Sequence, residues 1–354
     1  MASIEIFEYT KRDLKKLLAD ERFWMQPKLP ITKRRAFSQV FNPRADDNDT
    51  ILITALNKGQ LVAYLGILPD WLIREAQTPM KFGWLTPWWV DKESEQRLAA
   101  MKILFAAMKK YSNKLAVFSP SIEAERVYDA TRQFRECARF DRSYYIIGLP
   151  PSFRILNRLT SWFARARNRM IFPRELPNRG LEIQTVGELD GSLESFINTW
   201  AVRDPLGRDS SYWNWVLKFP WMSPSEEDKA VQKRYAFSVF AKGFRQVLLR
   251  VSREDAIIAF LVMTLRDGRL CLKYAYYNDS QDAADVADSI RAAIADINPW
   301  LFISADIALN TELERGFPFY FVRRSKSSAI YSMKALPLSV GCRLQLGTGD
   351  SVFT

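Results

Sequence analysis

The order of elements between Phe82 and Phe134 constrains this chain more than any other feature: strand, helix, strand, helix, with a similar and more worn order returning between Leu270 and Phe317. Lys81 to Val90 is aromatic and apolar, with Trp84, Trp88 and Trp89 in ten residues. Such a run fits a strand buried on both faces. Pro87 has no N–H to give a sheet ladder, so the strand is expected to bulge there. From Ser94 the period changes. Leu98, Met101, Leu104, Phe105 and Met108 recur at helical spacing and end in Lys109 and Lys110, a favourable charge for a helix C-terminus. Leu115 to Phe118 is a second short strand, and Ser119-Pro120-Ser121 opens a helix that carries Ala124, Val127, Tyr128 and Phe134, with Ser121 as its cap.

The flanking residues complete the unit. Ile4 to Tyr9 alternates like a strand, residues 10–26 and 31–42 read as helices, and Thr50–Leu56 and Leu61–Leu68 are strands joined across the turn signal Asn57-Lys58-Gly59. Cys137 to Ile147 is a closing strand. The pattern restarts at Leu181–Val186, followed by helices at 189–203 and Ser211–Phe219. Strands follow at Phe244–Val251, Ala256–Leu265 and Arg269–Tyr277, then a helix at Asp282–Ile297 and a strand at Trp300–Ser304. The expected fold is α/β (α+β): two domains, 1–150 and 181–354, each a mixed, mostly antiparallel twisted sheet flanked by helices, joined by residues 151–180.

This layout resembles the GCN5-related N-acetyltransferase (GNAT) superfamily, and the phrases Asn42-Pro43-Arg44-Ala45-Asp46, Gly66-Ile67-Leu68-Pro69-Asp70 and Phe118-Ser119-Pro120-Ser121 resemble its two-domain bacterial members of unassigned substrate. In that family a bulged strand splays from its neighbour and its edge groups bond the pantetheine of acyl-CoA. The next helix aims its free N–H groups at the pyrophosphate. The helix after that often carries Asn-x-x-Ala-x-x-x-Tyr, matched here by Ser121, Ala124 and Tyr128, with Phe134 beyond. The resemblance therefore implies acetyl-CoA or another acyl-CoA as donor, held by Trp89, Val90, Gln96, Arg97, Leu98, Ala99, Ala100 and Ser121. It implies Tyr128 as the acid that protonates the departing thiolate, and the loop Phe23 to Pro30 as a wall of the acceptor site. One departure stands out. Where the family has Arg/Gln-x-x-Gly-x-Gly/Ala, this chain has Glu95-Gln96-Arg97-Leu98-Ala99-Ala100, without the glycines that let a backbone approach phosphate. The second unit is poorer: Asn278 to Asp285 has no glycine and three acidic residues, Glu312 stands where the tyrosine would fall, and Gly316-Phe317 resembles the end of the last helix.

The chain has no histidine, which excludes Ser-His-Asp and Cys-His catalysis and histidine metal sites. Three scattered cysteines, Cys137, Cys271 and Cys342, argue against a disulfide framework or a zinc site and fit a reducing cytoplasm. Attack of an amine on a thioester needs neither histidine nor metal. It needs positioning, an oxyanion stabiliser, a base and an acid. With 354 residues, 48% of them hydrophobic, the chain suffices for two cores, and no apolar run approaches the ~18 residues of a membrane span.

The net charge of +11 is focused. Between Pro151 and Gly180 stand seven arginines against Glu175 alone, and Ile155, Leu159, Trp162, Phe163, Ala166 and Met170 step at helical spacing. Readings of this segment are an inter-domain brace, a membrane-surface helix over 153–172, or an anion-binding surface; no base-reading motif supports nucleic acid as a partner. The expected activity is acyl transfer from acyl-CoA to a small-molecule amine. The rival readings are a GNAT-fold binding or scaffold protein without catalysis, and a relative of the peptidoglycan aminoacyltransferases that takes aminoacyl-tRNA.

Overall fold

The computed structural model describes residues 4–73, 78–91, 97–148, 180–315, 321–338 and 344–354. The basic segment 151–179, Gln96, Gly316-Phe317 and Cys342 lie outside them.

The first half begins with β1 (Ile4–Thr10). Thr10 then caps α1 (Lys11–Leu17) in a reciprocal box with Asp13. The helix expected over 10–26 is two helices, because Asp20 caps a separate α2 (Glu21–Trp24). Thr32 caps α3 (Lys33–Val40). The hairpin β2 (Thr50–Asn57) and β3 (Gln60–Leu72) turns at Lys58 and Gly59, both with positive φ. Next come β4 (Met80–Val90), α4 (Arg97–Lys110), β5 (Leu115–Phe118), α5 (Ile122–Thr131) and β6 (Phe134–Ile146); Phe134, expected on the helix, instead begins β6, because the left-handed Arg132 ends α5. The second half follows the same order: β7 (Leu181–Val186), α6 (Gly191–Ala201), α7 (Ser210–Lys218), α8 (Glu226–Val231), β8 (Phe244–Arg253), β9 (Ala256–Arg266), β10 (Arg269–Tyr277), α9 (Asp279–Ile297), β11 (Leu301–Ser304), α10 (Ile307–Glu314) and β12 (Phe321–Met333).

All these strands form one sheet of twelve, in the order β1-β2-β3-β4-β5-β12-β6-β11-β10-β9-β8-β7. The centre is a reciprocal exchange. β12, from the second half, lies between β5 and β6 of the first, and β6 pairs in turn with β11 of the second. Each half therefore lends its last long strand to the other.

Period-2 alternation splits the side chains between two faces. On β9, Phe260 and Val262 enter one core, whereas Ala259, Leu261 and Met263 enter the other. One face is covered by α4 with α5 and by α9 with α10; the other carries α1–α3 and α6–α8 over a joint core that holds Trp84, Trp213, Tyr274 and Phe353. The buried side of α4 is Ala99, Ile103, Leu104 and Ala107, while the expected Leu98 and Phe105 are exposed. Small alanines let the helix sit close on β2 and β3, with Ile103 and Leu104 filling the core between them. Among the described residues no helix is long and apolar enough to cross a membrane.

Candidate functional site

The two halves each open a parallel strand pair. β4 meets β5 only at Gly83↔Leu115 and Trp84↔Ala116. Beyond that the register of β4 against β3 slips, from Ile67↔Leu85 to Leu65↔Trp88, so Thr86 and Pro87 bulge as expected. Gly66 faces the bulge, and an added Cβ there would overlap the Thr86 carbonyl oxygen. Past the bulge β4 stays on β3 through Val90. Among the described residues nothing hydrogen-bonds the Trp88–Val90 backbone from the β5 side, and the buried indole nitrogen of Trp88 has no partner.

The sequence-predicted residues divide around this splay. Tyr128, 1% exposed on α5, packs between Trp88 (5.5 Å) and Phe134 (4.5 Å) on the α4/α5 face. Burial raises its pKa and keeps the hydroxyl protonated. Ser121 caps α5, accepting from the Ala124 N–H at 3.3 Å. Arg97 is the first residue of α4, Leu98 is exposed, Ala99 is buried in the core below and Ala100 is half-buried. Val90 packs with Trp88 on the same face. Trp89 points the other way, stacked on Tyr64 at 5.3 Å with the Lys28 ammonium 5.3 Å from its ring centroid. Lys28 also pairs with Asp91 at 2.8 Å, and the 23–30 loop lines a groove of about 1000 Å³ there.

On the α1–α3 face, the bulge is gripped by residues that the sequence did not mark. Arg35 of α3 donates to the Thr86 carbonyl and stacks 3.8 Å from the ring centroid of Trp221. The Thr86 hydroxyl donates to Asp350. Beside them is a cavity of about 180 Å³, lined by Pro87, Arg35, Trp221, Tyr235, Arg266 and Asp350 among others. The Tyr235 hydroxyl and the Arg266 Nε are buried there without hydrogen-bond partners.

The second half repeats the splay and fills it. β10 meets β11 only from Arg269↔Leu301 to Cys271↔Ile303, and a register slip between Leu272 and Tyr274 makes Lys273 the bulged residue. The edge beyond is covered by residues 344–351. The Gln345 carboxamide accepts from the Ala275 N–H at 2.7 Å and donates to the Ala275 carbonyl at 3.4 Å. The Gly347 N–H donates to the Lys273 carbonyl at 2.9 Å, so close to Tyr274 that a Cβ would strike its ring. Lys273 gives its ammonium to the Ser351 carbonyl at 2.6 Å and hydroxyl at 3.0 Å, and burial pulls its pKa down. A cavity of about 520 Å³ remains beside Lys273, Phe140 and Asp306. The first turns of α9 carry Asp282 and Asp285, both bound by Arg253, which makes that helix start a poor seat for an anion.

Between the two splays lies a buried ion pair. Arg208, fully buried, donates two hydrogen bonds of 2.7 Å to Asp70, which also accepts from the Trp84 indole at 2.8 Å. Nearby, Asp204 accepts from the Tyr276 hydroxyl at 2.9 Å, and burial raises its pKa. Among the described residues no cluster could hold a metal ion.

No protein-family model matches the sequence, and no curated protein matches it. Solved structures do. A probable N-acyltransferase from Enterococcus faecalis V583 superposes at TM-score 0.53 with 11% identity, over 93% of this chain and 72% of that one. A GCN5-related N-acetyltransferase from Anabaena variabilis gives 0.51 and 10%, over 93% and 72%. The Saccharomyces cerevisiae N-myristoyltransferase with bound myristoyl-CoA gives 0.51 and 12%, over 94% and 83%. The chain thus has the GNAT fold across most of its length.

Proposed function

We propose that this chain is an acyltransferase that takes an acyl group from acyl-CoA at the first splay and passes it to a small amine. The observation that carries the reading is the asymmetry of the two splays. The β10 edge past Lys273 is taken by Gln345 and Gly347 of the chain itself, whereas the β4 edge past Pro87 has no such partner among the described residues. The two solved acyltransferase structures named by activity, and the one crystallised with myristoyl-CoA, support the donor class.

In this reading the pantetheine lies along Trp88–Val90, with the pyrophosphate toward the start of α4 at Arg97–Ala100. A backbone N–H past the bulge faces the thioester oxygen as negative charge develops on it. The amine attacks from the α1–α3 face, where Asp350 stands beside Thr86 and can take the proton. The new N–C bond forms as the C–S bond breaks, and the thiolate takes a proton from Tyr128, whose burial keeps it in the acid form. A role as a binding or scaffold protein draws on one observation, the glycine-free run Glu95 to Ala100.

Calorimetric titration with acetyl-, octanoyl- and myristoyl-CoA tests the reading. One saturable site is expected, weakened by Arg97→Glu and unchanged by Gln345→Leu. If none of the three binds, the transferase reading fails and the scaffold reading takes its place.

A further inference from the structure

The cavity at the β4 bulge brings two arginines, a tyrosine and an aspartate to one lining. Arg35 is 6% exposed, and its one hydrogen-bond acceptor among the described residues is a neutral carbonyl, that of Thr86. Arg266, at the end of β9, is half-buried and makes no ion pair and no side-chain hydrogen bond among the described residues. The Tyr235 hydroxyl, 4% exposed as a residue and next to Arg35, also lacks a partner. Asp350 and Thr354 also line the cavity; Asp350 is bound by Thr86 and forms no ion pair with either arginine. The Tyr235 hydroxyl and the Arg266 Nε are buried without an acceptor, which is unfavourable unless a ligand supplies one. The cost falls at a place where a planar, two-oxygen anion meets donors that suit it.

The remaining walls restrict the ligand further. Trp221, Tyr235 and Phe237 are aromatic, and the volume of about 180 Å³ is that of a handful of water molecules at about 30 Å³ each. Pro87 of the bulge lies on the same lining, so a ligand held here stands within reach of the splayed edge. Asp350, on the Thr86 side, faces whatever part of the ligand points at the bulge.

We infer that the acceptor is a small amine bearing a carboxylate, a free α-amino acid in its simplest form, with its carboxylate on Arg35, Arg266 and Tyr235 and its amine directed at Asp350 and the bulge. The inference rests on the acyl-transfer reading for the fate of the amine, but not for the binding itself. The second half then contributes three of the groups that recognise the acceptor: Trp221, Tyr235 and Arg266.

The test pairs each amino acid with the amine that lacks its carboxylate: alanine with ethylamine, leucine with isopentylamine, phenylalanine with phenethylamine. Binding to the full chain is measured by calorimetry with and without saturating acetyl-CoA, and acylation is followed by mass spectrometry. At least one amino acid is expected to bind ten times more tightly than its amine. Arg266→Gln and Tyr235→Phe, both milder than a change at buried Arg35, should each weaken that amino acid at least fivefold and leave acetyl-CoA affinity unchanged. Equal binding or acylation of amine and amino acid would overturn the inference and leave acyl transfer standing. Amino-acid binding without any acyl-CoA binding would uphold the pocket and remove the transferase. No amino acid binding under either condition would overturn the inference outright.

Discussion

Gln345 pairs with Ala275 as a neighbouring strand would: one carboxamide satisfies both the N–H and the C=O of a buried residue on the free edge of β10. A side-chain amide thereby stands in for a strand on that edge. The second splay is closed by the chain's own residues, whereas the Trp88–Val90 edge of the first has no such partner among the described residues.

Replacing Gln345 with leucine should therefore act on stability alone. Two buried peptide groups lose their partners, at a cost of about 1–3 kcal/mol. Urea unfolding should show that loss with acyl-CoA affinity unchanged; a loss of affinity would mean that the donor sits on β10.

Gly66→Ala probes the other splay. Its Cβ would displace the Thr86 carbonyl and with it the bulge, at about 1–3 kcal/mol. The expected result is a lower melting temperature together with weaker acyl-CoA binding. Unaltered binding would separate the bulge from the donor site.

The Asp70–Arg208 pair joins β3 to the loop before α7 with both side chains almost completely buried. Arg208→Leu leaves the carboxylate unpaired, and about 3–5 kcal/mol should be lost. Adding Asp70→Leu should recover a substantial part of it. A double variant as unstable as the single one would show that the Trp84 contact matters more than the charge.

Tyr128→Phe removes a hydroxyl but neither the ring contact with Trp88 nor that with Phe134. Turnover should fall about 10²–10⁴-fold with acyl-CoA binding retained. Unchanged turnover would assign the acid to another group.

Asp204 gives a pH signature. Burial raises its pKa in the folded state, so the folded chain holds that proton more tightly than the unfolded chain does. Its contribution is complete below the ordinary aspartate range and is lost as pH rises through the elevated value. In urea titrations from pH 4 upward, the stability of the unaltered protein should decline relative to Asp204→Asn. Parallel curves would show that the carboxyl titrates normally.

Much of the first unit was legible locally. The apolar run Lys81–Val90, the proline that cannot join a ladder and the Ser121 cap are short-range features, and the strand, its bulge and the α5 start appear where those features put them. The β2–β3 turn at Lys58-Gly59 is of the same kind. The single helix read over 10–26 fails for a local reason as well: Asp20 is an N-cap that interrupts an otherwise helical pattern. The buried side of α4 misled because hydrophobicity favours Leu98 and Phe105, while the helix turns Ala99, Ile103, Leu104 and Ala107 to the sheet.

The pocket residues carried no such signal. Arg35, Tyr235, Arg266 and Asp350 come from four distant parts of the chain, and each is an ordinary residue where it stands. Residues 344–354 show neither helical nor strand periodicity, yet they cover the second splay and reach Thr86. The sequence by itself determined the elements, because periodicity, caps and turn residues act within a few positions along the chain. Only the tertiary structure decided that β12 enters between β5 and β6 and that residues 344–351 close the second splay. Those outcomes depend on which unpaired strand edge a distant segment can satisfy, and an edge exists only once the sheet has formed.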